Sequence, residues 1–134
     1  LLVRLRPSVN RAPLPALALT MDAATLTAMG NDYAFEDHFA RMVEAWGRPG
    51  DVLLALSTSG RSPNVGRGLE AARARGIITM GFLGQDGGPA RDLCDYAIIV
   101  PSSDVARVQE THAVLGHVLL ELAEDVILGR HAEA

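Results

Sequence analysis

Short apolar runs separated by helix-length amphipathic stretches constrain this chain more than any other feature. Residues 14–19, 52–56, 77–83 and 96–100 are runs of five to seven mostly apolar residues with little polar alternation. Each is bounded by turn formers: Pro13 and Pro15 at the first, Pro49-Gly50 before the second, Gly76 before the third and Pro101 after the fourth. Short runs without alternation suit strands buried on both faces, as in a parallel sheet. Between and after them lie helical patterns. Residues 35–47 place Phe35, Phe39, Met42 and Trp46 at helical spacing. Residues 63–75 have Ser62 at the N-cap, Pro63 at the first helical position and Gly76 beyond the end. Residues 105–128 carry Val108, Leu115, Leu119, Leu122 and Val126 on one stripe. The predicted fold is α/β, a doubly wound parallel sheet of four visible strands. Residues 1–134 are expected to form a single domain. The sequence opens at Leu1 without an initiator Met or a first strand–helix unit, so that domain is expected to be incomplete at its N-terminus.

Composition narrows the chemistry. All twelve basic residues are Arg, which removes a Schiff-base lysine and a Walker-type phosphate loop. A net charge of −4 argues against a nucleic-acid surface. No apolar run approaches the roughly 20 residues of a membrane span, so no membrane partner is expected. The N-terminal residues have no secretion-signal pattern. A cytoplasmic location is the expectation. Cys94, the single cysteine, has no partner for an internal disulfide and reads as a small buried apolar residue.

The densest polar cluster is Ser57-Thr58-Ser59-Gly60-Arg61-Ser62, running from a predicted strand end into a predicted helix start. Hydroxyls beside a helix N-terminus suit a phosphate, and α/β sheets bind ligands at the carboxyl ends of their strands. Alternatively, Ser62 caps the helix and the other hydroxyls pair with backbone. Gly66 and Gly68 inside the helix suggest close approach to a ligand or tight packing. On the last helix, His117 and Glu121 could be a solvent-facing i,i+4 pair, or His117 could serve a metal or a proton transfer. Gln109 and His117 are about 12 Å apart along the axis. Gly30-Asn31-Asp32 and Gln85-Asp86-Gly87-Gly88 read as turns that could line a site. His38 is expected at the surface and His131 in a frayed tail.

Taken together, Gly30-Asn31-Asp32-Tyr33, the 50–54 strand, the 57–62 loop, Gly84 through Gly88 and Arg107-Val108-Gln109-Glu110-Thr111-His112 resemble SIS-domain proteins of the phosphoheptose isomerase group. The resemblance spans residues 4–128. It implies isomerisation of sedoheptulose 7-phosphate, a phosphorylated seven-carbon sugar, to D-glycero-manno-heptose 7-phosphate on the route to activated heptose. It also implies zinc and a homotetramer with sites shared between subunits. By resemblance, Ser57, Thr58, Ser59 and Ser62 hold the phosphate, and Asn31 and Asp32 contact the sugar. Gln109 contacts substrate and metal, and His117 is both metal ligand and catalytic acid/base. Moving a carbonyl from C2 to C1 passes through an enediol, which needs a base, an acid and stabilisation of an oxyanion. The family's Gly-rich substrate loop, a His ligand and a catalytic Glu precede the segment matching Arg4, so the chain alone is expected to be inactive. A related non-catalytic SIS adaptor, which associates with the replication initiator, is the alternative. It lacks the second His of the last helix, and the presence of His117 here favours the isomerase.

Overall fold

The computed structural model describes residues 1–20 and 22–129; His131 lies outside them. They separate into two compact units: Leu19–Gln109, and Leu1–Ala18 together with the chain from Glu110 on.

The larger unit holds the sheet. Helices α1 (Ala23–Asp32) and α2 (His38–Trp46), with a 3-10 turn at Phe35–Asp37 between them, precede strand β1 (Val52–Ser57). Helix α3 (Pro63–Ala74) crosses to β2 (Ile78–Gly84), and a 3-10 turn at Pro89–Leu93 leads to β3 (Tyr96–Val100). Helix α4 (Val105–Ile127) follows. The strands form one parallel sheet in the order β1-β2-β3, with Val52 opposite Ile78 and Met80 opposite Tyr96. The α/β class and the parallel sheet match the expectation; the four-strand count does not.

Residues 14–19 are not a strand. Pro13 and Pro15 have no backbone N–H, and a strand needs a partner ladder to satisfy the donors that remain. Leu19 packs instead with Val43, Ala72 and Ile77 beneath α2 and α3.

One face of the sheet is closed. Ala55 of β1 and Leu83 of β2 pack with Leu69 of α3 and Ala90, flanked by Leu53, Val65, Leu93 and Cys94. Leu69 and Leu83 are almost fully buried, and burying side chains of this size is worth about 1.5–3 kcal/mol each. The other face corrects the expectation of burial on both sides. Val52, Leu56, Ile78, Tyr96 and Ile98 share it and are exposed, whereas Phe82, which the register places between Leu56 and Ile98, is buried there. The residues are as apolar as predicted, but α3 and the Pro89–Leu93 turn cover only the opposite side.

Helix α2 also differs from its predicted face. Phe35 and Trp46 are exposed, whereas His38 is 1% exposed and Val43 is buried. The His38 Nε2–H donates to the Leu19 carbonyl at 2.9 Å, which compensates for burying the ring. Gly68 faces α2, where an added Cβ would lie 3.0 Å from the Phe39 Cβ, so helix packing explains that glycine. Gly66 has nothing within 4 Å.

Thr79 locks β2 to the approach to β3. It is wholly buried, its Oγ1 lies 2.9 Å from the Leu93 carbonyl oxygen, and it accepts the Asp95 N–H at 2.9 Å. The Asp95 carboxylate in turn accepts the Thr79 N–H at 2.8 Å. Thr79→Val keeps the shape and strips the hydroxyl. It is expected to cost about 1–2 kcal/mol in urea denaturation, because polar partners stay buried.

In the smaller unit, two arginines of the irregular N-terminal segment converge on α4. Arg6 Nε reaches Glu124 at 2.9 Å and Arg11 Nε reaches it at 2.6 Å. Arg6 also forks onto Asp125. Along α4, Val114, Val118, Leu122 and Val126 recur every fourth residue and are exposed. The predicted apolar stripe is therefore buried at Val108 and open to solvent at Leu122 and Val126. No helix among the described residues is long and apolar enough to cross a membrane.

Candidate functional site

The hydroxyl-rich loop joins the carboxyl end of β1 to the start of α3, the edge where parallel sheets bind ligands. Its shape comes from backbone–hydroxyl pairing. Ser57 Oγ accepts the Gly60 N–H at 3.0 Å, and Ser59 Oγ accepts the Arg61 N–H at 3.2 Å. Each hydroxyl thus uses a lone pair to fold the loop and can still donate its proton, for Ser57 with Ser62 Oγ at 3.4 Å among the acceptors in reach. Ser57 is buried, and Thr58, Ser59 and Ser62 are half-buried.

Ser62 occupies the N-cap position but corrects its predicted role: its side chain makes no cap hydrogen bond. The reason is local. The Val65 N–H, one of the two a cap side chain would receive, donates instead to Asn64 Oδ1 at 2.9 Å. The Ser62 hydroxyl lies instead 3.4 Å from Ser57 Oγ. The structure therefore gathers Ser57, Thr58, Ser59 and Ser62 around one helix start.

The Gln85–Gly88 turn is the wall behind this loop. Gly60 has φ +64°, and its carbonyl accepts the Ala90 N–H at 3.1 Å. A Cβ on Gly60 would sit 1.8 Å from the Gly87 carbonyl oxygen. At the strand end, a Cβ on Gly84 would sit 2.2 Å from the Thr58 carbonyl oxygen. These backbones touch with no room for a side chain. Arg61 spans the same junction through a two-pronged ion pair with Asp86, at 2.7 and 2.9 Å. That pair, helped by the Gly88 N–H, holds the Asp86 carboxyl well below the usual carboxylate range and raises the Arg61 guanidinium. From the sequence, Asp86 falls in a turn that could line a site, but its pairing with Arg61 was not expected. The available signal was an Arg inside the hydroxyl loop and an Asp inside a glycine-rich turn.

The remaining candidates stand apart from the loop in sequence. Asn31 and Asp32 close α1 rather than forming a free turn; both are exposed, and Asn31 Nδ2 donates to Asp32 Oδ1 at 2.7 Å. Nearby, the Arg41 guanidinium lies 4.3 Å over the Tyr33 ring. Gln109 and His117 are both exposed on α4, and its rise separates them by about 12 Å. The helix does not bring them together. Among the described residues, no three His, Cys, Asp or Glu side chains form a metal-binding group. Gln109 and His117 are two groups held about 12 Å apart along one helix, and by themselves they do not fit a zinc site. Cys94 is half-buried; its Sγ lies 3.2 Å from the Ala90 carbonyl oxygen, and burial pushes the thiol up.

The chain is similar to known proteins. Phosphoheptose isomerase from Nitratiruptor is 54% identical over 116 residues, covering 87% of this chain and 62% of the relative. The Clostridium acetobutylicum phosphoheptose isomerase is 45% identical over 125 residues, covering 93% of this chain and 64% of its own length. The chain therefore spans a little over three fifths of these curated relatives. Among solved structures, phosphoheptose isomerase from Francisella tularensis superposes with a TM-score of 0.80 at 39% identity, covering 83% of this chain and 60% of that one. The Neisseria gonorrhoeae phosphoheptose isomerase gives 0.77 at 41% identity, covering 79% and 60%. The SIS domain family model matches residues 6–84, which take in β1, the hydroxyl loop, α3 and β2. With more than half its length matched to that model, the chain belongs to the SIS domain family.

Proposed function

We propose that this chain carries the phosphate-binding part of an aldose–ketose isomerase that converts sedoheptulose 7-phosphate to D-glycero-manno-heptose 7-phosphate in heptose-nucleotide biosynthesis. One observation carries the reading. The hydroxyls of Ser57 and Ser59 are fixed as acceptors of loop amides, and that of Ser62 is not spent on capping. A hydroxyl so held has its proton left to give, and a phosphate is an acceptor on every oxygen. The positive end of α3 adds to the attraction.

In this reading Ser57, Thr58, Ser59 and Ser62 grip the phosphate. That grip, remote from the reacting carbons, supplies the binding energy that orients them. Asn31, Asp32 and Gln109 contact the sugar hydroxyls, and His117 moves a proton during enediol formation. The exposed stripe Val114, Val118, Leu122 and Val126 supports assembly into a homotetramer, since apolar helix faces are usually covered. A cytoplasmic enzyme working on a soluble sugar phosphate fits the acidic surface and the chemistry.

Calorimetric titration of the chain tests the reading. Sedoheptulose 7-phosphate and inorganic phosphate are both expected to bind. Ser57→Ala is expected to weaken both by roughly tenfold or more, the effect of one hydrogen bond to a charged group. A chain that binds neither ligand would sink the phosphate-loop assignment. On its own the chain is expected to bind without turnover, since His117 is its one proposed acid/base group. Measurable isomerisation by the 134 residues would overturn that part alone.

A further inference from the structure

We propose that Arg61 and Asp86 are a positioning pair that fixes the phosphate loop, and that Arg61 is not itself a phosphate ligand. The inference rests on the phosphate-loop reading above. An arginine one residue after Gly60, among the hydroxyls, would ordinarily be taken as the cation that meets the phosphate. Its geometry points elsewhere. Nη1 and Nη2 donate to the two carboxylate oxygens of Asp86 at 2.7 and 2.9 Å. Nη1 also donates to the Ser59 carbonyl at 2.9 Å, so the side chain folds back across its own loop.

Asp86 has a second attachment. Its Oδ1 accepts the Gly88 N–H at 3.0 Å, so one carboxylate ties the loop's side chain to the turn's backbone. The turn is in turn held by the segment that follows β3. Gln85, a non-glycine residue at φ +58°, donates its N–H to the Ser102 carbonyl at 3.2 Å. A left-handed glutamine next to the pair marks a conformation that its surroundings impose. The hydroxyls feel any slip directly. Ser57 and Ser59 are oriented by the N–H groups of Gly60 and Arg61, the residues the pair anchors.

The arrangement has a distinctive energetic signature. Both side chains are at least half exposed, and exposed pairs contribute little to global stability. Misplacing a binding group by a fraction of an ångström nonetheless reduces affinity strongly. Loss of the pair should therefore show in phosphate affinity and leave the melting temperature almost unmoved.

The test is titration of the chain and its variants with inorganic phosphate and with sedoheptulose 7-phosphate, alongside thermal melts. Arg61→Ala, Asp86→Ala and the double variant are each expected to weaken binding by about the same factor, near tenfold, because neither residue acts without the other. The charge-swapped Arg61→Asp/Asp86→Arg chain is expected to recover most of the loss. If Asp86→Ala tightens binding, Arg61 is a direct ligand that Asp86 restrains, and the proposal is overturned. Unchanged affinity in all variants overturns it while leaving the phosphate loop standing. A fall of more than a few degrees in the Asp86→Ala melt would make the pair a fold-holding contact instead. No binding by the unaltered chain would remove the phosphate-loop reading and this inference with it.

Discussion

Gly60→Ala is expected to lower stability by about 3 kcal/mol or more and to abolish phosphate binding. Two separate costs combine. At φ +64° a residue with a Cβ is strained in the left-handed region, a cost of roughly 1 kcal/mol or more. The added methyl would also lie 1.8 Å from the Gly87 carbonyl oxygen and 2.4 Å from its carbon. The obstacle is backbone, so no side-chain rotation relieves it, and either the loop or the turn must move. Such movement breaks the Ala90-to-Gly60 hydrogen bond at 3.1 Å and carries the Ser57 and Ser59 hydroxyls out of place. Urea denaturation reads the first effect and phosphate titration the second. Gly66→Ala is the matched control, because nothing lies within 4 Å of the new methyl and φ is helical. It is expected to gain a few tenths of a kcal/mol to about 1 kcal/mol. Equal stability of the two variants would show that the loop and turn do not touch as described.

Glu124→Gln is expected to lower the melting temperature of the smaller unit by on the order of 10 °C. Glu124 is fully buried and receives Arg11 at 2.6 Å and Arg6 at 2.9 Å. The Arg11 side chain is itself only 3% exposed, and its Nη2 has no hydrogen-bond partner among the described residues. Removing the carboxylate charge leaves that buried guanidinium uncompensated. Removing one member of a buried pair is the costly direction of change.

The same cluster makes acid sensitivity predictable. The hydrogen bond from Arg11 holds the Glu124 carboxyl below its ordinary value of 4.5, with Arg6 assisting and burial opposing. A carboxylate whose pKa is lower when folded contributes stability above its unfolded value. That contribution is lost as pH falls through the folded value. The contribution of Glu124 should therefore be constant from pH 7 down to about 5 and be lost progressively below 4.5. Hydrogen exchange on α4 between pH 3 and 7 measures this. In Glu124→Gln the acid-dependent part should shrink, and an unchanged profile would rule Glu124 out as its source.

The elements whose signals are local were legible. Pro63 and Gly76 bracket α3, found at Pro63–Ala74. The apolar runs at 52–56 and 96–100 became β1 and β3 within one residue. The run at 14–19 is apolar yet not a strand, because apolar content does not specify where backbone hydrogen bonds go. His38 misled in the other direction. Its neighbours are acidic, but the carbonyl that accepts from its ring belongs to Leu19, 19 residues earlier.

The candidate site divides along the same line. That hydroxyls gather where a strand passes into a helix follows from the order of residues 57–62, since the residues are adjacent in the chain. Ser62's release from capping is also local, since Asn64 takes the Val65 N–H. What only the tertiary structure decided is which distant residues meet the loop and α4. Arg61 reaches Asp86 across 25 positions, and Arg6 reaches Glu124 across 118. Chain order specifies periodicity, caps and turns because these depend on neighbours within a few residues. Contacts at long separation depend on how sheet register and helix packing bring backbones together, as at Gly60 and Gly87, and a single sequence has no local signal for that.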